Sequence, residues 1–128
     1  MIILRTHPEH IPEVVDRSMH ALARSPTISP GDLILISFAV AKITDGLPPI
    51  RYVMEFVKIR ADRTGDTSRE IWGKKWPYIL YGQGCRPLAQ AFDIREHQVS
   101  SHNYGQGGPF VYVDPRDEIV LLQSGLLA

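Results

Sequence analysis

Ser29-Pro30-Gly31-Asp32-Leu33-Ile34-Leu35-Ile36-Ser37-Phe38-Ala39-Val40 is the stretch on which the fold turns. Pro-Gly-Asp is a turn signal, because proline presets one backbone angle and glycine tolerates the other. The run behind it is apolar at almost every successive position. An extended chain sends alternate side chains to opposite faces, so this strand is apolar on both and belongs in the middle of a sheet or barrel, covered on two sides. Ser37 is the one polar side chain in the run. A buried hydroxyl needs a partner. That partner is either nearby backbone or the edge of a ligand.

Downstream, Thr44-Asp45-Gly46-Leu47-Pro48-Pro49 reads as a hairpin-type connection into a strand over Ile50 to Ile59. In it Tyr52, Met54 and Phe56 share one face and Val53, Glu55, Val57 and Ile59 the other. The two strands are expected to pair antiparallel. Glu55 pairs with Arg51, Arg60 or Lys42 in one reading and is a pocket acceptor in the other. Arg60 to Glu70 is polar and reads as a loop. Ile79 to Tyr81 is a strand that Gly82-Gln83-Gly84 breaks, and Pro87 to Ile94 is a separate, irregular strand that its prolines confine to an edge. His97 to Gly108 reads as a loop and Phe110 to Val113 as the last strand. Asp114 then caps a helix, with Pro115 at its first position and Gly125 at its end. Upstream, Ile2 to Leu4 is a short buried strand. Pro8 and Glu9 start a helix whose apolar positions Ile11, Val14, Val15, Ser18, Met19 and Leu22 carry it on towards Pro26, before which it must stop.

Consecutive strands without helices between them give an α+β fold with a curled sheet or small barrel. A chain of 128 residues is one domain, 1–128, large enough to need no disulfide or metal staple. Lys plus Arg and Asp plus Glu each number 14, so there is no global basic field, and any nucleic-acid contact must come from a local patch. The single Cys85 excludes an intramolecular disulfide and a cysteine-rich zinc site. No apolar run is long enough to cross a bilayer and the amino terminus does not read as a signal peptide, so a cytoplasmic location without membrane contact is expected.

The chemistry concentrates in Ile71-Trp72-Gly73-Lys74-Lys75-Trp76-Pro77-Tyr78. Both tryptophans of the chain lie there, interleaved with lysines. Two facing rings can sandwich a base or a methylated group, and the lysines can neutralise phosphates beside it. The plainer alternative is that both rings close the end of a barrel. Gly105-Gln106-Gly107-Gly108 can offer backbone amides to an anion but lacks the lysine and helix of a phosphate loop. His97 and His102 lack the spacing of a zinc site. Cys85 has no histidine partner motif. No nucleophile elbow, paired carboxylates or dinucleotide fingerprint occurs. No catalytic group, metal or cofactor is therefore expected.

In order and spacing, these landmarks resemble the EVE/YTH branch of the PUA-like superfamily. The matching pieces are Arg5-Thr6-His7-Pro8-Glu9 after the first strand, the Pro30-Gly31-Asp32 turn, the Ile50 strand running into an acidic loop, Trp72 to Tyr78 followed by Pro87-Leu88, the Gly-Gln-Gly loop, and the Asp-Pro-x-Asp helix start. The Gly-x-Lys-x-x-Glu motif of the related ASCH branch is absent. The resemblance implies a strongly curved sheet or barrel flanked by helices, and a pocket that takes one flipped, modified base of RNA or DNA, or a nucleotide. It implies Trp72, Trp76 and Tyr78 as stacking walls, Ser37 and Phe38 as lining from the central strand, and Thr6 and His7 as closure. Lys74, Lys75 and Arg69 would then contact phosphate. The alternatives are a small nuclease-like enzyme, needing His7, Glu55 or His102 as acid or base, and an interaction protein whose aromatic cluster is core.

Overall fold

The computed structural model describes residues 1–39, 47–105 and 108–128. Val40, Lys42, Thr44 to Gly46, Gln106 and Gly107, which carry parts of the expectations above, lie outside them. Six strands form one curled sheet in the order β2-β5-β4-β3-β1-β6. These are β1 (Ile2–Thr6), β2 (Met19–Leu22), β3 (Leu33–Phe38), β4 (Ile50–Ala61), β5 (Tyr78–Phe92) and β6 (Phe110–Tyr112). The helices are α1 (Ile11–Arg17), entered through a short 3-10 turn, α2 (Asp66–Trp72) and α3 (Pro115–Ser124). β1 and β3 run parallel, and every other pairing is antiparallel.

The opening stretch behaves as its pattern dictates. Ile34, Leu35 and Ile36 have no exposed surface, and each fully buried aliphatic side chain is worth about 1.5–3 kcal/mol. Their alternation feeds two cores. Ile34 and Ile36 join Ile2, Leu4, Met54 and Leu80 beneath Ile11 and Val14 of α1. Leu35 joins Ile3, Ile50 and Val53 beneath Leu121 of α3. α3 has the expected ends: Asp114 accepts from the Arg116 amide, Pro115 opens the helix, and Gly125 closes it in the left-handed region.

Four expectations need correction. The first helix ends at Arg17, not near Pro26. Ser18 turns left-handed at φ 52°, its hydroxyl accepts from the Cys85 amide, and its carbonyl accepts from Gly82. Met19 to Leu22 then become β2, paired with Tyr78 to Tyr81. An apolar Met19 and Leu22 suit either period, and the open edge of β5 decides between them. Secondly, the loop over Arg60 to Glu70 holds the start of α2, which continues to Trp72.

Thirdly, Gly82-Gln83-Gly84 does not break the strand. β5 runs through it with register shifts against β4. A Cβ at Gly82 would lie 2.8 Å from the Met54 sulfur and 2.9 Å from the Glu55 carbonyl, so glycine is what lets the two strands stay close. Beyond Tyr81, β5 pairs with β4 alone, which leaves Pro87 beside an unpaired edge. Fourthly, a bulge between Phe56 and Lys58 reverses the alternation in β4. Ile59 therefore packs with Tyr52, Met54 and Phe56 instead of with Val53.

Candidate functional site

Because β1 and β3 are parallel and in register, they finish together at Thr6 and Phe38. Beyond these ends opens a cavity of about 300 Å³. Arg5, Thr6 and His7 line it from the end of β1, and Phe38, Ala39 and Pro48 from the end of β3 and the segment before β4. His10 and Val14 contribute from the first helical turns, and His20 and Ala21 from β2. Trp72, Trp76, Gly108 and Pro109 complete the wall. Such a volume lies at the small end of ligand sites.

One hydrogen-bond chain fixes the polarity of this wall. His20 Nδ1 lies 2.7 Å from the Ala21 carbonyl, which can only accept, so Nδ1 carries the proton. Burial pushes the His20 pKa down to about 4, leaving the ring neutral at pH 7 with Nε2 as an acceptor. Thr6 Oγ1, 2.8 Å from Nε2, is therefore the donor in that bond. Both residues are buried, at 2% and 9% exposure.

The tryptophans are held by backbone chemistry around Ser68. Ser68 is completely buried, and its hydroxyl donates to the Gly65 carbonyl and accepts from the Trp76 amide at 3.0 Å. The Ser68 amide in turn donates to Asp62 Oδ2. Trp72 ends α2, and Gly73 reverses the chain in the left-handed region. The two rings are thus tied to one turn of structure. Both are half-buried, as walls of a cavity are and as core side chains are not.

Cations gather on this side. The Lys74 ammonium lies 4.7 Å from the centre of the Trp76 ring, and Arg51 lies 5.0 Å from that of Phe38. Arg24 lies over Phe110 beside Gly108. Arg5 donates to the carbonyls of Tyr104 and Gly108, and so pins Gly108 at the cavity wall. No carboxylate lines the cavity among the described residues.

No protein-family model and no curated protein sequence matches the chain. A solved structure does. The crystal structure of ASCH from Zymomonas mobilis aligns with a TM-score of 0.63 at 12% identity, over 94% of this chain and 92% of that one. The chain has a PUA-like fold. The curved sheet flanked by helices expected from the sequence is the architecture observed.

Within the PUA-like fold, five of the expected site residues meet at the cavity: Trp72, Trp76, Phe38, Thr6 and His7. Two do not. Ser37 points to the opposite face of β3, where its hydroxyl donates to the Pro48 carbonyl at 2.9 Å in a separate crevice of about 20 Å³. The period of two explains this, since Ser37 and Phe38 cannot share a face. Tyr78 starts β5 opposite Leu22 and packs against the α1 core. Of the cations, Lys74 stacks on Trp76, the Lys75 stem lies along Gly65, and Arg69 donates to the Thr64 carbonyl. All three are exposed beside the Trp72–Trp76 turn. Glu55 is exposed and outside the cavity, and His102, half-buried with its ring tilted against Tyr104, is outside it too. The sequence does not single out His20 or Ser68, and His10, expected as a surface histidine at the first helix start, lines the cavity. His20 falls within the helical spacing that runs to Leu22, and Ser68 in a polar stretch where a small hydroxyl carries no signal.

Proposed function

We propose that this chain is a non-catalytic nucleic-acid-binding module of EVE-like type that takes a single modified base of RNA or DNA into the cavity between β1, β3 and the Trp72–Trp76 turn. The supporting observation is the half-exposed tryptophan pair on a concave wall that carries no carboxylate among the described residues, with Arg5 in the wall and Lys74 over the Trp76 ring. A base that leaves its stack gains stacking energy on such rings, about 1–3 kcal/mol each. A methyl group adds apolar surface and, on a positively charged base, cation–π attraction. Lys74, Lys75 and Arg69, exposed beside the tryptophan turn, would hold the phosphates on either side, which supplies affinity without sequence information. Phe38 and His7 close the wall around the base. An acid–base enzyme would have to work through the histidines of this wall, of which His20 is buried, neutral and already bonded to Thr6 and the Ala21 carbonyl.

Tryptophan fluorescence tests the proposal. Short single- and double-stranded oligonucleotides, with and without one methylated adenine or cytosine, are titrated at a fixed low salt concentration. Quenching that favours one methylated oligonucleotide is expected. Emission that no oligonucleotide alters, with both rings still open to a small neutral quencher, refutes it.

A further inference from the structure

We infer that Thr6 is the specificity-determining group of the cavity: its oxygen accepts a hydrogen bond from an exocyclic N–H of the bound base. The inference rests on the base-binding proposal and adds which bases qualify. A hydroxyl owns one proton and two lone pairs. The Thr6 proton is committed to His20 Nε2 at 2.8 Å, because the other ring nitrogen must donate to the Ala21 carbonyl. What Thr6 Oγ1 has left for a ligand is an acceptor. His20 acts through Thr6 and is a positioning residue: it keeps the hydroxyl from turning its proton towards the cavity. A base carrying an amino group, as adenine and cytosine do, satisfies that acceptor. An amine methylated once keeps one N–H and still qualifies. The same ring without the amine leaves the buried oxygen unpaired, and sites built around a hydrogen bond reject analogues that lack it.

The experiment compares oligonucleotides that differ at one central base, adenine against unsubstituted purine and cytosine against 2-pyrimidinone, by tryptophan quenching. Stacking is similar within each pair, so the difference reports the amine. The amino member of at least one pair is expected to bind about ten- to a hundredfold more tightly. Thr6→Val is expected to bring that ratio close to one, and Thr6→Ser to restore it. Thr6→Val leaves His20 Nε2 unpaired and can fail to fold. A proton–nitrogen correlation spectrum of the wild-type histidine rings gives an independent arm, with His20 expected to show a protonated Nδ1 and a bare Nε2 at pH 7. A protonated Nε2 overturns the inference. Equal quenching by both members of each pair also overturns it, while leaving the base-binding proposal standing. No quenching by any of the four, nor by the methylated forms of the two amino members, removes that proposal and this inference with it.

Discussion

His20 couples protonation to folding. Its folded pKa, about 4, lies below its ordinary value of 6.5 because burial penalises the charged ring. Between these values the unfolded chain binds the extra proton and the folded one does not, so stability rises with pH through this window and is fully present above it. Lowering the pH from about 6.5 to 4 is expected to cost on the order of 3 kcal/mol from this group. Urea unfolding across that range checks it, with His20→Gln expected to flatten the profile. An identical profile in the variant would assign the loss to other groups. Trp72 and Trp76 are the other test at this scale. Replacing either by alanine is expected to weaken oligonucleotide binding by about 1–3 kcal/mol, five- to over a hundredfold, with the circular dichroism spectrum kept. If both variants unfold instead, the rings are core.

Two polar clusters hold elements in place, one beside the cavity and one beneath α3. Ser68 joins α2 to the segment before β5. Ser68→Ala strands the Trp76 amide and is expected to lower stability by about 1–2 kcal/mol and to weaken binding, because the rings lose their fixed spacing. Asp117 of α3, 1% exposed, does the same for the chain after β5. Burial pushes its carboxyl up, but the hydroxyls of Ser100 and Tyr104 and the amides of Val99 and Ser100 outweigh that and hold it at about 2. Asp117→Ala strands these donors and is expected to cost about 3 kcal/mol or more in chemical denaturation. Neither cluster was legible in the sequence: the Ser68 contacts lie within one polar stretch that carries no period, and the Asp117 contacts join α3 to a loop 13 to 18 residues upstream. The strands β1, β3, β4 and β6 and helix α3 were legible, since period and capping chemistry are local. β2 was not: Met19 to Leu22 carry a helical spacing, and only the edge of β5 makes them a strand.

The whole molecule is formally neutral, so any attraction for a polyanion has to be local. If Lys74, Lys75 and Arg69 each meet a phosphate, the slope of log affinity against log salt is expected to be about −2 on single strands, at roughly 0.7 per contact. Changing Lys74 and Lys75 together to alanine is expected to reduce it by roughly 1.4. A slope unaffected by the double variant would move the phosphate path elsewhere. At this scale the sequence showed the curved PUA-like sheet and most of one wall of the cavity. It placed Ser37 and Tyr78 there too, which strand alternation and the start of β5 forbid. The most direct test of the central claim uses the strongest-binding oligonucleotide and its twin with an abasic site in place of the central base. A base seated between Trp72 and Trp76 is expected to quench their emission, and its abasic twin to leave it nearly unchanged. Equal quenching by both would mean that the chain binds backbone alone and that the cavity is not a base site.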